Sequence, residues 1–278
     1  MTPSRFTICF LSLVCRVTCF SHKTHEYLGE VTEKYLEKFD SDLYAKVQME
    51  VDDMPLSQVS IWADKIKKRP EYQWTKKLHY IDILECNTTI DRDIIAKYCS
   101  GNCITSAILS NVHYLHKNSY VSDTTCSANF FAIQLSRKER LMFLMHFLQD
   151  FSQPLHLIGY HRGGNSYTLI RNKAGHNRST NLHYLWDSEI PSYYTSKNVW
   201  ELEEIELREF KNIDEYYEFF LEILNQNTNV ACDYIYGKHG DEKYIIFEDY
   251  FNESYQRLLF QNYLTIVINT LRFVYNYG

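Results

Sequence analysis

Apolar residues return every three or four positions through much of this chain, the period of a helix with one buried face. Leu141, Leu144, Met145 and Leu148 form one such set. The pattern predicts helices over 26–39, 43–51, 57–67, 104–117, 135–151, 182–190 and 214–227, with a last one from about 249 to 275. Pro70, Pro154, the Gly163-Gly164 pair and Gly175 mark loops between them. No strong alternating run announces a sandwich or barrel, and no repeat, charge block or linker-like stretch divides the chain. The expected fold is all-α, a single large helical domain.

Composition narrows the function classes. The 278 residues are 45% hydrophobic and 15% aromatic, with nine glycines and five prolines, which excludes a disordered tail, a collagen-like fibre and a low-complexity linker. The length suffices for a full core. Lys and Arg total 29 against 35 Asp and Glu, a formal charge of −6. That balance implies no broad cationic surface for gripping nucleic acid by phosphate neutralisation. A polyanionic substrate would need localised positive charge, and a bound metal is one source.

The first nineteen residues read as a cleaved secretory signal. Arg5 precedes an apolar run from Phe6 to Cys15, too short to span a bilayer, and Val17-Thr18-Cys19 offers small residues for a signal peptidase. The mature chain, 20–278, then begins at Phe20 and carries −8, since 27 basic residues face 35 acidic ones. No later segment is long and apolar enough to be an integral membrane helix. Secretion favours disulfides among Cys86, Cys99, Cys103, Cys126 and Cys232. Cys99 and Cys103 bracket a short turn suited to a local bridge, a Cys86–Cys232 bond would tie the two halves together, and Cys126 is the odd thiol. Asn87, Asn177 and Asn252 head glycosylation triplets that agree with a secretory route.

The histidines carry the chemistry. His146-Phe-Leu-Gln-Asp150 and His183-Tyr-Leu-Trp-Asp187 repeat one pattern, His followed four residues later by Asp. On a helix this spacing stacks the pair on one face, close enough to share a cation. Proline ends the first pair's helix and aims His156 back at it. Both pairs lie in apolar sequence, where an unpartnered carboxylate is costly and metal coordination keeps it charged. Asp64 beside Trp62, and His79 three residues before Asp82, are similar elements. Mixed His and Asp donors without thiolates suit zinc in an open, catalytic site.

These residues, in order, resemble the S1/P1 nuclease family. The resemblance is carried by Phe20-Ser-His-Lys-Thr-His25, Trp62-Ala-Asp64, Trp74-Thr, Leu78-His79-Tyr-Ile-Asp82 and His146-Phe-Leu-Gln-Asp150-Phe-Ser-Gln-Pro-Leu-His156. Gly163-Gly-Asn165, Asn181-Leu-His183-Tyr-Leu-Trp-Asp187, Ala231-Cys232-Asp-Tyr-Ile-Tyr236 and Asp249-Tyr-Phe251 extend it over essentially the whole mature chain. It implies a zinc-dependent endonuclease acting on single-stranded DNA and RNA, also a 3′-nucleotidase, with three Zn²⁺ in a helical cleft. One zinc would take Asp64, His79, His146 and Asp150; a second His156, His183 and Asp187. The third would take the amine and carbonyl of Phe20 with His25 and Asp150, so that Asp150 bridges two metals and signal cleavage frees a ligand. Zinc would bring water's pKa toward neutrality for attack on phosphorus. Asp82 would orient the attacking water or a ligand, and Lys67, where the family usually has arginine, would neutralise a phosphate oxygen. Tyr80 is the candidate stacking platform for a base and Asn165 a candidate substrate contact. No stable protein partner is implied, and a secreted or lysosome-like monomer is expected.

Phe20 stands where the family usually has tryptophan, which leaves the ligating backbone atoms unaltered. Two other readings remain. A zinc phospholipase C shares the superfamily, but those enzymes resemble each other in a glutamate where Asp187 stands. A secreted zinc- or nucleic-acid-binding protein without turnover would keep the ligands and lack activity.

Overall fold

In this computed structural model one buried helix organises the rest. Ser136 and Glu139 form a capping box at the start of Arg137–Phe151, each side chain satisfying the other's backbone N–H. Every residue from Arg140 to Phe151 is buried, so the helix is enclosed all round and carries His146 and Asp150 into the interior. The structure describes residues 20–86, 88–117, 134–197, 202–238, 243–246 and 253–275. The expected signal at 1–19, Asn87, Cys126, Asn252 and the 249–251 motif lie outside them.

The helices are α1 (His22–Phe39), α2 (Ser41–Glu50), α3 (Leu56–Ile66), α4 (Arg92–Cys99), α5 (Ile104–Lys117) and α6 (Arg137–Phe151). They continue as α7 (Ile190–Lys197), α8 (Ile213–Asn229) and α9 (Glu253–Tyr275). Helix α6 packs against α3, α5 and α9, and α1 packs against α3. The α1–α3 contact is close because position 29 is glycine: a Cβ there would stand 2.4 Å from the Leu56 carbonyl oxygen and 2.6 Å from Ser60 Oγ. Gly29→Val is therefore expected to force the helices apart and destabilise the protein by about 1–3 kcal/mol, read as a lower denaturant midpoint at unchanged slope.

Several elements differ from the periodicity. Pro70 opens a 3₁₀ helix, Pro70–His79, rather than a loop, because proline's missing N–H costs nothing at a helix start. The segment expected as a helix over 182–190 begins as one turn, Leu182–Tyr184, widens into a π-helical turn, Leu185–Glu189, and continues as α7. Helix α8 likewise runs on into a π-helical stretch, Val230–Lys238. The mostly helical fold also carries a three-stranded sheet of order β2-β1-β3. Strands β1 (Thr168–Lys173) and β2 (His176–Asn181) pair antiparallel across a two-residue turn at Ala174-Gly175, both with positive φ, and β3 (Tyr244–Ile246) joins β1 in parallel. Asn177 lies exposed on β2.

Among the described residues two disulfides are present. Cys86 joins Cys232, 146 residues away, and Cys99 joins Cys103 across the turn between α4 and α5. Among the described residues no helix is long and apolar enough to cross a membrane.

Candidate metal centre

Three helices, two short 3₁₀ segments and the helical turn over 182–189 bring eight His and Asp side chains together, all of them buried. His25 comes from α1, Asp64 from α3, and His146 and Asp150 from α6. His79 ends the 3₁₀ helix Pro70–His79, and His156 ends a second one, Pro154–His156, just beyond α6. The two short segments are joined by backbone bonds, Ile81 N–H to the His156 carbonyl at 2.8 Å and Gly159 N–H to Ile83 at 2.8 Å. His183 and Asp187 come from the helical turn and its π extension.

The side chains gather into three groups whose donor atoms lie close enough to hold an ion: His25, Asp64 and His146; His79, His146 and Asp150; and His156, His183 and Asp187. Asp150 faces two ways. Its Oδ2 lies 2.7 Å from His79 Nδ1 and 3.0 Å from His146 Nε2, while Oδ1 lies 3.3 Å from His156 Nδ1 and 3.5 Å from His25 Nε2. Asp64 Oδ1 stands 3.6 Å from His146 Nε2, and His183 Nε2 stands 3.0 Å from Asp187 Oδ2. The ring of Phe20 packs against the rings of His25 and His156, at centroid distances of 5.7 and 5.9 Å.

The residues fit a metal. His25 Nε2, His79 Nε2, His156 Nδ1, Asp150 Oδ1 and Asp187 Oδ2 are buried without a hydrogen-bond partner, a costly condition that coordination would relieve. The other ring nitrogen is often engaged by the protein, which sets the tautomer. His146 Nδ1 donates to the Ser60 carbonyl at 2.6 Å, and His183 Nδ1 to the Gly163 carbonyl at 2.6 Å. His25 Nδ1 donates to Gln149 Oε1 at 2.5 Å, and the Gln149 amide donates to Ser60 Oγ and the Tyr263 hydroxyl. Gln149→Leu is expected to release the His25 ring and weaken metal binding there by about 10–100-fold, read by competition against a chromogenic chelator.

Electrostatics concentrate charge in the same place. Burial pushes the Asp64 and Asp150 carboxyls up, but His146 on both, with Lys67 on Asp64 and His156 on Asp150, holds them well below the carboxylate range. Burial likewise works against protonated His156, yet Asp150 and Asp187 push its pKa to about 10. Burial pulls His79 down to about 4. The carboxylates are held charged in the interior, where a cation is strongly favoured.

A groove opens beside the His/Asp centre, lined by His79, Tyr80, Asp82, His156, Arg162 and Asn165. Tyr80, Asp82 and Asn165, singled out in the sequence, thus share one wall system. Asp82 is exposed rather than set among apolar residues, and its partial burial raises the carboxyl while Arg162 opposes the rise. Asn165 donates its amide to the Arg162 carbonyl at 3.0 Å, so it also shapes the loop. Lys67, expected to reach phosphate, is held on Asp64 Oδ1 at 2.5 Å, because three residues apart at a helix end the two share a face.

Arg162 and Gln149 escaped the sequence reading. Arg162 sits in a run of four residues with positive φ, His161 to Gly164 at 49°, 58°, 60° and 79°. Left-handed backbone costs a non-glycine residue about 1–2 kcal/mol. Gly163 bears it without a Cβ, which would stand 2.6 Å from the Leu155 carbonyl oxygen, and the turn aims the Gly163 carbonyl at His183. Gln149 could have been noticed as the polar residue inside the His146–Asp150 repeat, in a run from Leu141 to Phe151 that is otherwise apolar.

Comparison with known proteins meets this geometry from outside. The family model described as S1/P1 Nuclease matches residues 20–262. Endonuclease 4 of Arabidopsis thaliana is 32% identical over 183 residues, 64% of this chain and 57% of the relative. Endonuclease 5 of the same plant is 33% identical over 198 residues, 66% of this chain and 62% of the relative. Nuclease P1 of Penicillium citrinum is 31% identical over 141 residues, 49% of this chain and 45% of the relative. The chain thus spans about half to three fifths of the length of the curated relatives it matches. With the match running from the residue packed on His25 through α6 and past the His183–Asp187 pair, the chain belongs to the S1/P1 nuclease family.

Proposed function

We propose that this protein is a zinc-dependent endonuclease that hydrolyses phosphodiester bonds of single-stranded DNA and RNA to 5′-phosphorylated products, and also acts as a 3′-nucleotidase. The observation that carries it is Asp150, buried and turned by its two oxygens toward His79 and His146 on one side and His25 and His156 on the other. Three zinc ions would be held by Asp64, His79, His146 and Asp150; by His156, His183 and Asp187; and by His25, Asp150 and the freed amine and carbonyl of Phe20. Bound zinc supplies Lewis acidity, lowering the pKa of water and stabilising negative charge on phosphoryl oxygens.

The chain's own groups do the rest. Asp82 reaches the groove beside His79 and His156, placed to orient water or a substrate donor. Arg162 offers a planar pair of donors suited to a phosphate oxygen. Tyr80 presents an aromatic surface at the groove, and stacking accepts any unpaired base while a duplex keeps its bases stacked away. The two disulfides among the described residues support the secretory route, since such bonds persist in oxidising compartments.

The test is incubation of the protein starting at Phe20 with single-stranded DNA, with and without chelator, and with phosphatidylcholine in parallel. Chelator-sensitive release of 5′-phosphorylated fragments is expected. Lipid cleavage alone would move the protein to the phospholipases, and stoichiometric zinc without turnover would make it a binding protein.

A further inference from the structure

The acidic chain carries a dense local reversal of charge. Between Asp64 and His79 stand Lys65, Lys67, Lys68, Arg69, Lys76 and Lys77 against the single acid Glu71. The stretch starts at one proposed zinc ligand and ends at another, so the cations border the metal centre. Lys65, Lys68, Arg69, Lys76 and Lys77 are exposed, and among the described residues Lys68, Arg69, Lys76 and Lys77 form no ion pair. Lysines in the last turn of a helix complement its dipole, which explains Lys65. It does not explain four unneutralised cations beyond the helix end.

The segment's course is fixed by its apolar and hydrogen-bonded side. The Tyr72 hydroxyl donates to Glu139 at 2.6 Å, Trp74 packs on Phe143 at a centroid distance of 6.3 Å, and His79 on Phe147 at 5.2 Å. The 3₁₀ helix therefore runs along α6 from its first turn to its catalytic end. At 1.5 Å per residue, the eight steps from Glu139 to Phe147 span roughly 12 Å. The exposed cations thus stand along a ridge that leaves the centre after Asp64, reaches the first turn of α6 at Tyr72 and returns to the centre at His79.

We propose that this ridge, Lys68, Arg69, Lys76 and Lys77, is a binding track for the sugar-phosphate backbone of a single strand whose scissile bond lies in the groove. The proposal rests on the nuclease reading and deepens it: the ridge favours polymeric substrate over mononucleotides and dinucleotides, too short to reach from the groove along it. It also relocates the positive charge that the overall composition hides. Contacts of this kind carry affinity without base preference, and log affinity for a single strand falls with log salt by about 0.7 for each phosphate neutralised.

The test compares the wild-type holoenzyme with the variant Lys68→Gln/Arg69→Gln/Lys76→Gln/Lys77→Gln on a twenty-residue oligothymidylate and on the dinucleotide TpT. A rise of about tenfold or more in KM for the oligomer at low salt is expected, with a shallower salt dependence and unchanged kcat and KM on TpT. Unchanged TpT turnover also shows that the variant is folded. Equal losses on both substrates, or no change on the oligomer, would overturn the proposal; loss of binding to phosphatidylserine vesicles with the oligomer unaffected would assign the ridge to membranes instead. Anisotropy of a labelled oligothymidylate, measured in chelator, reads the ridge apart from turnover. If the wild type cleaves neither substrate, the nuclease reading fails, and the track stands or falls on whether the variant loses that binding.

Discussion

Asp150→Asn is expected to abolish turnover and to empty two metal sites at once. The exchange keeps the shape of the side chain and removes its charge. Both oxygens are used: Oδ2 faces His79 and His146 at 2.7 and 3.0 Å, and Oδ1 faces His156 and His25 at 3.3 and 3.5 Å. An amide can present an acceptor to one side only and turns a donor toward the other. Breaking a buried charge pair costs about 3–5 kcal/mol, or about 10²–10³-fold or more in an equilibrium constant. Both sites should lose metal affinity on that scale, while His156, His183 and Asp187 retain theirs. Zinc titration of the variant checks this, and Asp82→Asn is the contrast: exposed in the groove and outside the three groups, it should lower turnover and leave metal content intact.

The second large effect concerns Phe20, the proposed first residue of the processed protein. Phe20 packs on the rings of His25 and His156, and Ser21 begins α1 by accepting the Thr24 N–H on its hydroxyl while its own N–H reaches the Asp187 carbonyl at 3.3 Å. The backbone of Phe20 is thereby fixed beside His25. A free amine is a ligand when unprotonated, whereas a peptide nitrogen holds its proton and offers no lone pair. Protein carrying one extra residue before Phe20 is therefore expected to bind one zinc fewer and to lose about 10²-fold or more of its turnover, if the metal contributes the few kcal/mol typical of electrostatic stabilisation. Removal of the extra residue by an aminopeptidase should restore both. Full zinc content and activity in the extended protein would show that the amine takes no part.

The helices and the His/Asp groups were legible in the sequence for physical reasons. The three- and four-residue spacing of apolar positions that predicts α6 is the spacing that stacks His146 over Asp150. The sheet was not legible: β2, His176–Asn181, is almost wholly polar and mostly exposed, so it lacks the alternation that marks a half-buried strand. The π-helical turn at Leu185–Glu189 was hidden because the periodic pattern continues through it, although the turn still brings His183 and Asp187 to 3.0 Å. Lys67 illustrates a different limit. Its position three residues after Asp64 is plain in the sequence, but whether it reaches outward to phosphate or back to the carboxylate depends on packing, and it reaches back. The basic ridge was invisible to net charge, since six cations in thirteen residues vanish into a total of −6.

The measurement to make is zinc content by elemental mass spectrometry on folded protein beginning at Phe20, beside its Asp150→Asn variant. Three zinc ions per chain in the first and one in the second are predicted. Three in both, or a single ion in the unaltered protein, would contradict a centre in which Asp150 joins two metals.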